Sequence, residues 1–481
     1  MSIEPIQRQS FITLVLTITL TGIGFLSTIY FAHTMGPAPL GAYFLFLAYF
    51  GIFNLIGDGG FGGAAVKRIS EGKEPQEYFS AFVCIRIVLL AVSVTVLLIA
   101  EPYLKDITSS GMFFWLLLAL IISIFSSSMA MGVYGTGKVG VYQISNFVDV
   151  LLRILFQVGG VFFGFGVAGL AGGFVGGLIA GGIVNFRYLD LKLVRFRKSH
   201  IKNLTGFSFW IFLTASGSLV FSYADTVLIG YFMSTADVGI YRTAFQLTSV
   251  ATFTTLAFHT VLYPKISAWE SRGNFSAIEN ALSRAFTYSL LLAIPVCIGG
   301  WILGERLLFF LYGASFTTGT PALFLLLLVQ VVNVFMYLGT MGLNSLNHPK
   351  GAFLVTAIAA VVNIILDIVL IPIMGITGAA LATLIAMTLN ALVALILLSH
   401  VISVKIEHRP VKHILYASGI MGIFLIAIHF LLPLTHVAMV FGAVLIGACI
   451  YTLVLLKVDL GIHDEIRKFC MDVGLPWPTW L

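Results

Sequence analysis

Apolar runs of about 20 residues succeed one another along this chain, separated by short turns. Fourteen can be placed, at roughly 11–33, 40–57, 79–100, 112–134, 141–163, 167–186, 206–232, 238–262, 285–304, 320–342, 351–373, 376–400, 411–432 and 438–456. A coiled run of that length spans the hydrocarbon core of a bilayer. The runs are continuous rather than alternating, which favours helices far over a barrel of short strands. The 481 residues are 59% hydrophobic and only 10% charged, with mean hydropathy +1.04. A soluble domain carries about 25% charge, so these charges are too few to cover a soluble surface. The expected fold class is an all-α integral membrane protein with about fourteen transmembrane helices. Polar residues 1–10 and the long run behind them do not fit a cleavable signal peptide.

The chain also repeats itself. Met35 to Tyr43 reads MGPAPLGAY and Met233 to Tyr241 reads MSTADVGIY, both fitting M-x-x-A-x-[LV]-G-x-Y. About 25 residues further on stand Lys67-Arg68-Ile69-Ser70 and Lys265-Ile266-Ser267. Met131-Gly132 with Lys138 and Gly140 is echoed by Met341-Gly342 with Lys350-Gly351, and Gly166 to Ala171 by Gly375 to Ala380. The echoes keep one order at offsets of roughly 197 to 212 residues, the mark of an internal duplication. It implies an N-terminal lobe at 1–186 (spans one to six) and a C-terminal lobe at 206–400 (spans seven to twelve), joined by a basic linker at 187–205. Spans thirteen and fourteen fill 401–456, and an amphipathic tail follows at 457–481.

The net charge of +6 does not indicate nucleic acid, because the positive residues sit in short loops. With a cytoplasmic N-terminus, 21 of the 26 lysines and arginines fall on the inside and only Lys105 and Arg306 outside, as the positive-inside rule requires. Both termini are then cytoplasmic. The segment Arg187 to Lys202 is the densest basic cluster, read as an anchor against anionic headgroups. Pro264 and Gly36-Pro37 are read as turns, and Met35–Tyr43 and Met233–Tyr241 as the outer turns joining spans one to two and seven to eight, their Gly and Tyr serving turn geometry and interfacial anchoring. In the tail Ile462, Ile466 and Phe469 share one face, and Trp477 and Trp480 suit the membrane interface. Cys84, Cys297, Cys449 and Cys470 have no metal-ligand spacing and read as packing residues.

Residues Asn344 to Gly351 (NSLNHPKG) and Val362 to Thr383 (VNIILDIVLIPIMGITGAALAT) resemble the polysaccharide flippases, or O-antigen exporters, of the superfamily that also holds multidrug exporters and lipid II flippases. Met35-Gly36-Pro37 with Gly41 and Tyr43, Asp225 to Gly230, Val238 to Tyr241 and Leu311 to Phe316 carry the same resemblance, which reaches residue 456. His33 departs from it, since many such proteins have a basic residue before the Gly-Pro. The resemblance implies two pseudo-symmetric six-helix lobes plus two C-terminal helices. It also implies a cavity between the lobes, lined by the first, second, seventh and eighth spans.

Ionisable residues inside a bilayer are costly and are functional candidates by default. Here they are Arg86, Asp149, Arg153, Asp225, Arg242 and Asp367. Asp149 and Arg153 are four apart and can pair; Arg242 and Gln246 share the same spacing near the outer mouth. Arginine suits phosphate because its planar fork stays charged and donates two hydrogen bonds. Arg86, Arg153, Arg242 and Gln246 are therefore candidates for binding the phosphates and acidic sugars of a lipid-linked oligosaccharide, with Asp149, Asp225 and Asp367 as coupling or charge-pairing residues. A structural ion pair, headgroup snorkelling and buried packing are the plain alternatives. The row Gly169, Gly173, Gly177 and Gly181 reads as a close-packing helix face.

No Ser-His-Asp arrangement, zinc motif, ATP-binding motif or phosphate-cradling loop is present, so no cofactor, metal or catalytic residue is expected. The expected function is a flippase of the plasma membrane moving lipid-linked oligosaccharide by alternating access. Its partners would be membrane lipids and other glycan-assembly membrane proteins. A multidrug or cation antiporter of the same superfamily is the alternative, with a glycan polymerase or ligase further behind.

Overall fold

The computed structural model describes residues 5–403, 407–432 and 434–473. Among them the protein is helical and has no strand. The helices are α1 (Pro5–Met35), α2 (Pro37–Asp58), α3 (Phe61–Ser70), α4 (Pro75–Ala100), α5 (Lys105–Ser109), α6 (Met112–Gly135), α7 (Val139–Phe162), α8 (Gly166–Tyr188) and α9 (Lys198–Phe232). They continue with α10 (Thr235–Thr248), α11 (Phe253–Glu270), α12 (Phe275–Tyr312), α13 (Thr320–Ser345), α14 (Pro349–Met374), α15 (Ile376–Ser399), α16 (His408–Leu431), α17 (Val437–Val458) and α18 (Leu460–Val473). Eleven of the described helices are long and apolar enough to cross a membrane, and bent α9 makes a twelfth. Exposed apolar side chains such as Ile99, Phe162 and Phe430 suit a surface set in hydrocarbon. The protein is an all-α integral membrane protein.

Thirteen of the fourteen expected spans match a single helix each. The eighth, 238–262, is divided between α10, a 3-10 turn at Ser249–Thr252, and α11. Pro264, read as a turn, lies inside α11. Lys405, Trp477 and Trp480 lie outside the described residues. Cys84 and Cys449 are exposed rather than packed.

The chain forms two compact units, Met1–Arg242 and Thr243–Leu481. In the first, α2 ends on Gly59 and Gly60, both with positive φ (57° and 76°). Glycine adopts that conformation without the steric penalty of a side chain, so α3 can start at once. A Cβ at Gly60 would also lie 2.3 Å from the carbonyl oxygen of Ser208 on α9. Helix α3, which no apolar run signalled, packs on α6 and α9. The stretch after α8 runs without regular structure from 189 to 197. Its Leu189, Leu191 and Phe196 pack on a cluster that includes Ile69, Phe79 and Phe82, while Lys192, Arg195 and Arg197 stay exposed.

The most extensively packed helix pair in this unit is α7 with α8, and its cause is the glycine row. A Cβ at Gly173 would lie 2.5 Å from Cγ of Gln157, one at Gly177 2.5 Å from Oδ1 of Asp149, and one at Gly181 3.0 Å from Cβ of Asp149. At the far end Gly169 and Gly160 meet, with a Cβ on Gly169 only 2.8 Å from the Gly160 carbonyl carbon. A row of small residues lets backbones approach where side chains would hold them apart.

In the second unit, α12 is the central element. Ile278, Leu282, Phe286 and Leu290 of α12 lie in one apolar core with Val334 and Leu338 of α13 and Ile414 and Met421 of α16. Helices α16 and α17 pack against α12, and the Tyr451 hydroxyl donates to the Leu291 carbonyl at 2.8 Å. Helix α18 turns its Ile462 into this core; the side chains of Ile466 and Phe469 lie outside the described residues. Glu465 of α18 holds Arg284 at 3.4 Å and accepts from the Tyr288 hydroxyl.

Gly177→Leu should destabilise the first unit by about 1–3 kcal/mol or more through overpacking. Thermal unfolding of the detergent-purified protein would read this as a lowered midpoint. Gly159→Ala, where a Cβ meets nothing within 4 Å, should leave the midpoint unchanged or raise it.

Candidate functional site

The three candidate arginines all belong to the first unit, and α2 reaches each of them. Arg86 on α4 is 1% exposed, which removes snorkelling to water. Its guanidinium donates to Oδ1 of Asp58 at 3.3 Å, to the Ser127 hydroxyl at 2.6 Å and to the Asn54 side-chain carbonyl at 3.3 Å. The Ser123 hydroxyl also donates to Asn54, at 3.0 Å. Thus α2 supplies Asn54 and Asp58, and α6 supplies two serines. Asp58 sits at the last turn of α2, just past the apolar run, so counting intramembrane charges passes over it.

Arg153 and Asp149 do pair on one face of α7, with Nη2 at 2.7 and 2.9 Å from the two carboxylate oxygens. The pair keeps 23% and 18% of its side-chain surface exposed. The Arg153 guanidinium lies 4.5 Å from the centre of the Phe174 ring of α8. Phe174 in turn meets Phe46 and Phe50 of α2 edge-on, at 5.3 and 4.9 Å. One turn further along α7, the Gln157 amide donates to the Tyr43 hydroxyl at 2.7 Å and to the Leu170 carbonyl at 2.9 Å. Near the other end, Asn185 of α8 donates to the Ser145 hydroxyl at 2.7 Å. Ser145, Asp149, Arg153 and Gln157 thus form a polar line, four residues apart, laid along the glycine row of α8. Each member is visible in the sequence; that the line and the row face each other is not.

Arg242 of α10 lies 5.8 Å from the ring centres of both Phe44 of α2 and Tyr223 of α9. It donates to the Ser222 carbonyl at 3.3 Å. Asp225 of α9 is buried and accepts from the hydroxyl of buried Tyr241. Gln246, one turn beyond Arg242 on α10, falls in the second unit and is half-buried. Asp367 of α14, also in the second unit, is fully buried, as is Asn363 one turn before it.

The repeat motifs differ from the expected outer turns with interfacial tyrosines. Gly41 and Tyr43 stand inside α2, and Gly239 and Tyr241 inside α10. Tyr43 is 7% exposed and Tyr241 1%. Each buried hydroxyl requires a partner, and these take Gln157 and Asp225.

Removing one partner from a buried ion pair is far costlier than removing both, about 3–5 kcal/mol. Asp58→Ala should therefore lower the unfolding midpoint sharply, because it leaves the Arg86 charge buried. Arg86→Met combined with Asp58→Leu should recover most of the loss, as read by thermal unfolding in detergent.

A family model described as polysaccharide biosynthesis protein matches residues 6–270. Over 451 residues the chain is 27% identical to the probable low-salt glycan biosynthesis flippase Agl15 of Haloferax volcanii, covering 93% of this chain and 94% of that protein. It is 26% identical over 462 residues to the probable flippase AglR of the same organism, covering 95% and 96%. Among solved structures, the inward closed conformation of the lipid II flippase MurJ superposes with TM-score 0.80 at 20% identity, over 95% of this chain and 100% of that one. An inward-facing MATE multidrug transporter superposes with TM-score 0.66 at 15% identity, over 79% and 94%. The fold is thus the one shared by MurJ and the MATE transporters, and the chain belongs to the polysaccharide biosynthesis protein family.

Proposed function

We propose that this protein is a flippase that carries a lipid-linked oligosaccharide across the plasma membrane by alternating access. The observation that carries this reading is the similarity, along nearly the whole of both chains, to two proteins described as probable flippases. The intramembrane arginines support it. A polyprenyl phosphate or diphosphate presents oxygen atoms that a guanidinium grips through paired hydrogen bonds. The sugar needs a wet polar path, and the lipid tail can stay in hydrocarbon.

The two partly accessible arginines divide the work. Arg153 meets phosphate when its bond to Asp149 opens, so Asp149 neutralises it in the unloaded state. Arg242, which lies against the Phe44 and Tyr223 rings and donates to the Ser222 carbonyl, is the second phosphate-binding cation, with Gln246 one turn further along α10. Arg86 has three polar partners already, so its part is to fix α2, α4 and α6 together. Asp225 and Asp367 are the carboxylates open to coupling. The two lobes of the duplication, 1–186 and 206–400, move against each other, with both termini in the cytoplasm. The exposed basic stretch from Arg187 to Lys202 rests against anionic headgroups, and other glycan-assembly proteins supply and consume the substrate.

Deleting the gene should abolish the surface glycan and accumulate its lipid-linked precursor on the cytoplasmic face. Complementation with Arg153→Ala or Arg242→Ala should restore less than about a tenth of export, the loss of one charge-assisted phosphate contact. Normal surface glycan in the deletion strain, in a host with no second flippase, would rule the reading out. Asp149→Asn, which frees Arg153 of its counter-charge, should slow release more than loading. Pulse-labelled precursor would then be retained on the purified variant longer than on the parent.

A further inference from the structure

Asn280, Arg284 and Tyr288 stand one turn apart on α12 and line the polar wall of a cleft of about 310 Å³. Phe258 and Leu262, one turn apart on α11, and Ala281 of α12 supply its apolar part. The Phe258 and Tyr288 rings, 6.3 Å apart at their centres, join the two sides. The cleft belongs to the second unit, so it is separate from the three arginines of the first. The other side of α12 is committed to the core through Ile278, Leu282 and Phe286.

The polar wall already holds an anion, supplied by the chain itself. Both oxygens of the Glu465 carboxylate on α18 are engaged there. Oε1 lies 3.4 Å from a guanidinium nitrogen of Arg284, and Oε2 accepts from the Tyr288 hydroxyl. The Arg284 and Glu465 side chains remain 62% and 45% exposed. An ion pair so open to water is worth about 1 kcal/mol or less, so a competing anion can displace it. Helix α18 is fastened separately at its start. There Asp459 accepts from the Ile462 amide at 3.0 Å and lies 2.8 Å from Nδ1 of His413 on α16. Glu279, beside Asn280, accepts from the Ser403 amide at 2.9 Å and does not pair with Arg284.

We propose that this cleft is a binding site for a lipid phosphate, and that Glu465 is an internal anion that occupies the phosphate position while the site is empty. A carboxylate presents two oxygens, and Arg284 and Tyr288 meet them. A phosphate presents a third, for which Asn280 offers an amide one turn from Arg284. Guanidinium suits phosphate because its planar fork donates two parallel hydrogen bonds. The chain attached to the phosphate covers Phe258 and Leu262, which a free inorganic anion would leave wet. Phosphate on Arg284 and Tyr288 takes both donors from Glu465. The attachment at Asp459 persists, so α18 stays tethered at its start while the turn bearing Glu465 leaves α12. The position of α18 thereby registers whether the site is filled. Neither the site nor this response depends on the flippase reading.

The test uses the full-length protein in maltoside detergent, which brings no phosphate of its own. Lipid binding is read by native mass spectrometry. Docking of α18 is read from the mobility of a nitroxide on Met471→Cys, an exposed position of that helix, with the four native cysteines replaced. Dioctanoyl phosphatidic acid should bind the parent and raise the mobility of the label. Arg284→Met should weaken binding about tenfold or more, the loss of one charge-assisted contact. Glu465→Gln should tighten it about two- to fivefold by removing the competitor, with the label mobile before any lipid is added. Both substituted side chains are exposed, so the fold should be retained. Lys468→Met, which removes an exposed charge from the same helix without touching the cleft, should leave binding unchanged.

A polyprenyl monophosphate and inorganic phosphate, titrated separately, distinguish the sources of the ligand. Either lipid releasing α18 supports the site, and the one effective at the lower concentration is the better match to the cleft. Release by inorganic phosphate at the same concentration as by lipid would overturn the role of the apolar wall. Parent affinity in Arg284→Met would overturn the site. A label in Glu465→Gln as immobile as in the parent would overturn the place-holding role of Glu465.

Discussion

A guanidinium inside a membrane has to be given partners by the protein, because hydrocarbon supplies none. The first unit meets that demand largely from one helix. Asn54 and Asp58 of α2 take Arg86, Phe46 and Phe50 back the ring on which Arg153 lies, and Phe44 faces Arg242. These three environments differ in kind: around Arg86 a set of side-chain hydrogen bonds, around Arg153 a carboxylate with an aromatic backing, and around Arg242 two aromatic rings and a backbone carbonyl among its contacts.

The α7–α8 pair shows how such a polar line is tolerated. Side chains with hydrogen-bonding groups at every fourth residue of α7 would hold an ordinary neighbour away and leave gaps. Glycines at the matching positions of α8 bring that backbone in and close the space. The arrangement leaves the Asp149–Arg153 pair only partly covered, whereas Gln157 and Ser145 at either side are buried.

The succession of helices was legible from apolar runs, since span length follows from bilayer thickness and little else. The Asp149–Arg153 pair was legible too, because i,i+4 spacing on a helix is a local property. Helix α3 was not, being short and mixed in composition, with its apolar side paired only in the fold. Asp58 escaped because its partner lies 28 residues away on another helix; no spacing rule reaches that far. Tyr43 and Tyr241 read as interfacial anchors because tyrosine prefers that zone on average. Buried Gln157 and Asp225, which override the average, are tertiary neighbours that periodicity does not disclose. The repeat itself was plain in the sequence, but that its copies touch depends on three-dimensional closure.

That the copies touch reciprocally bears on descent. A Cβ at Gly41 would lie 1.7 Å from the carbonyl oxygen of Thr235, and one at Gly239 2.2 Å from the carbonyl oxygen of Pro37, its counterpart in the repeat. Before a duplication is fused, identical halves can meet only as a homodimer, where every residue on the axis confronts itself. At the position now held by Phe44 and Arg242, a homodimer could present two rings or two cations, never one of each. A solitary positive charge on such an axis becomes possible only when a single gene encodes both halves and each can mutate alone. A single chain that carries both halves can therefore hold an asymmetric centre that no symmetric dimer could build.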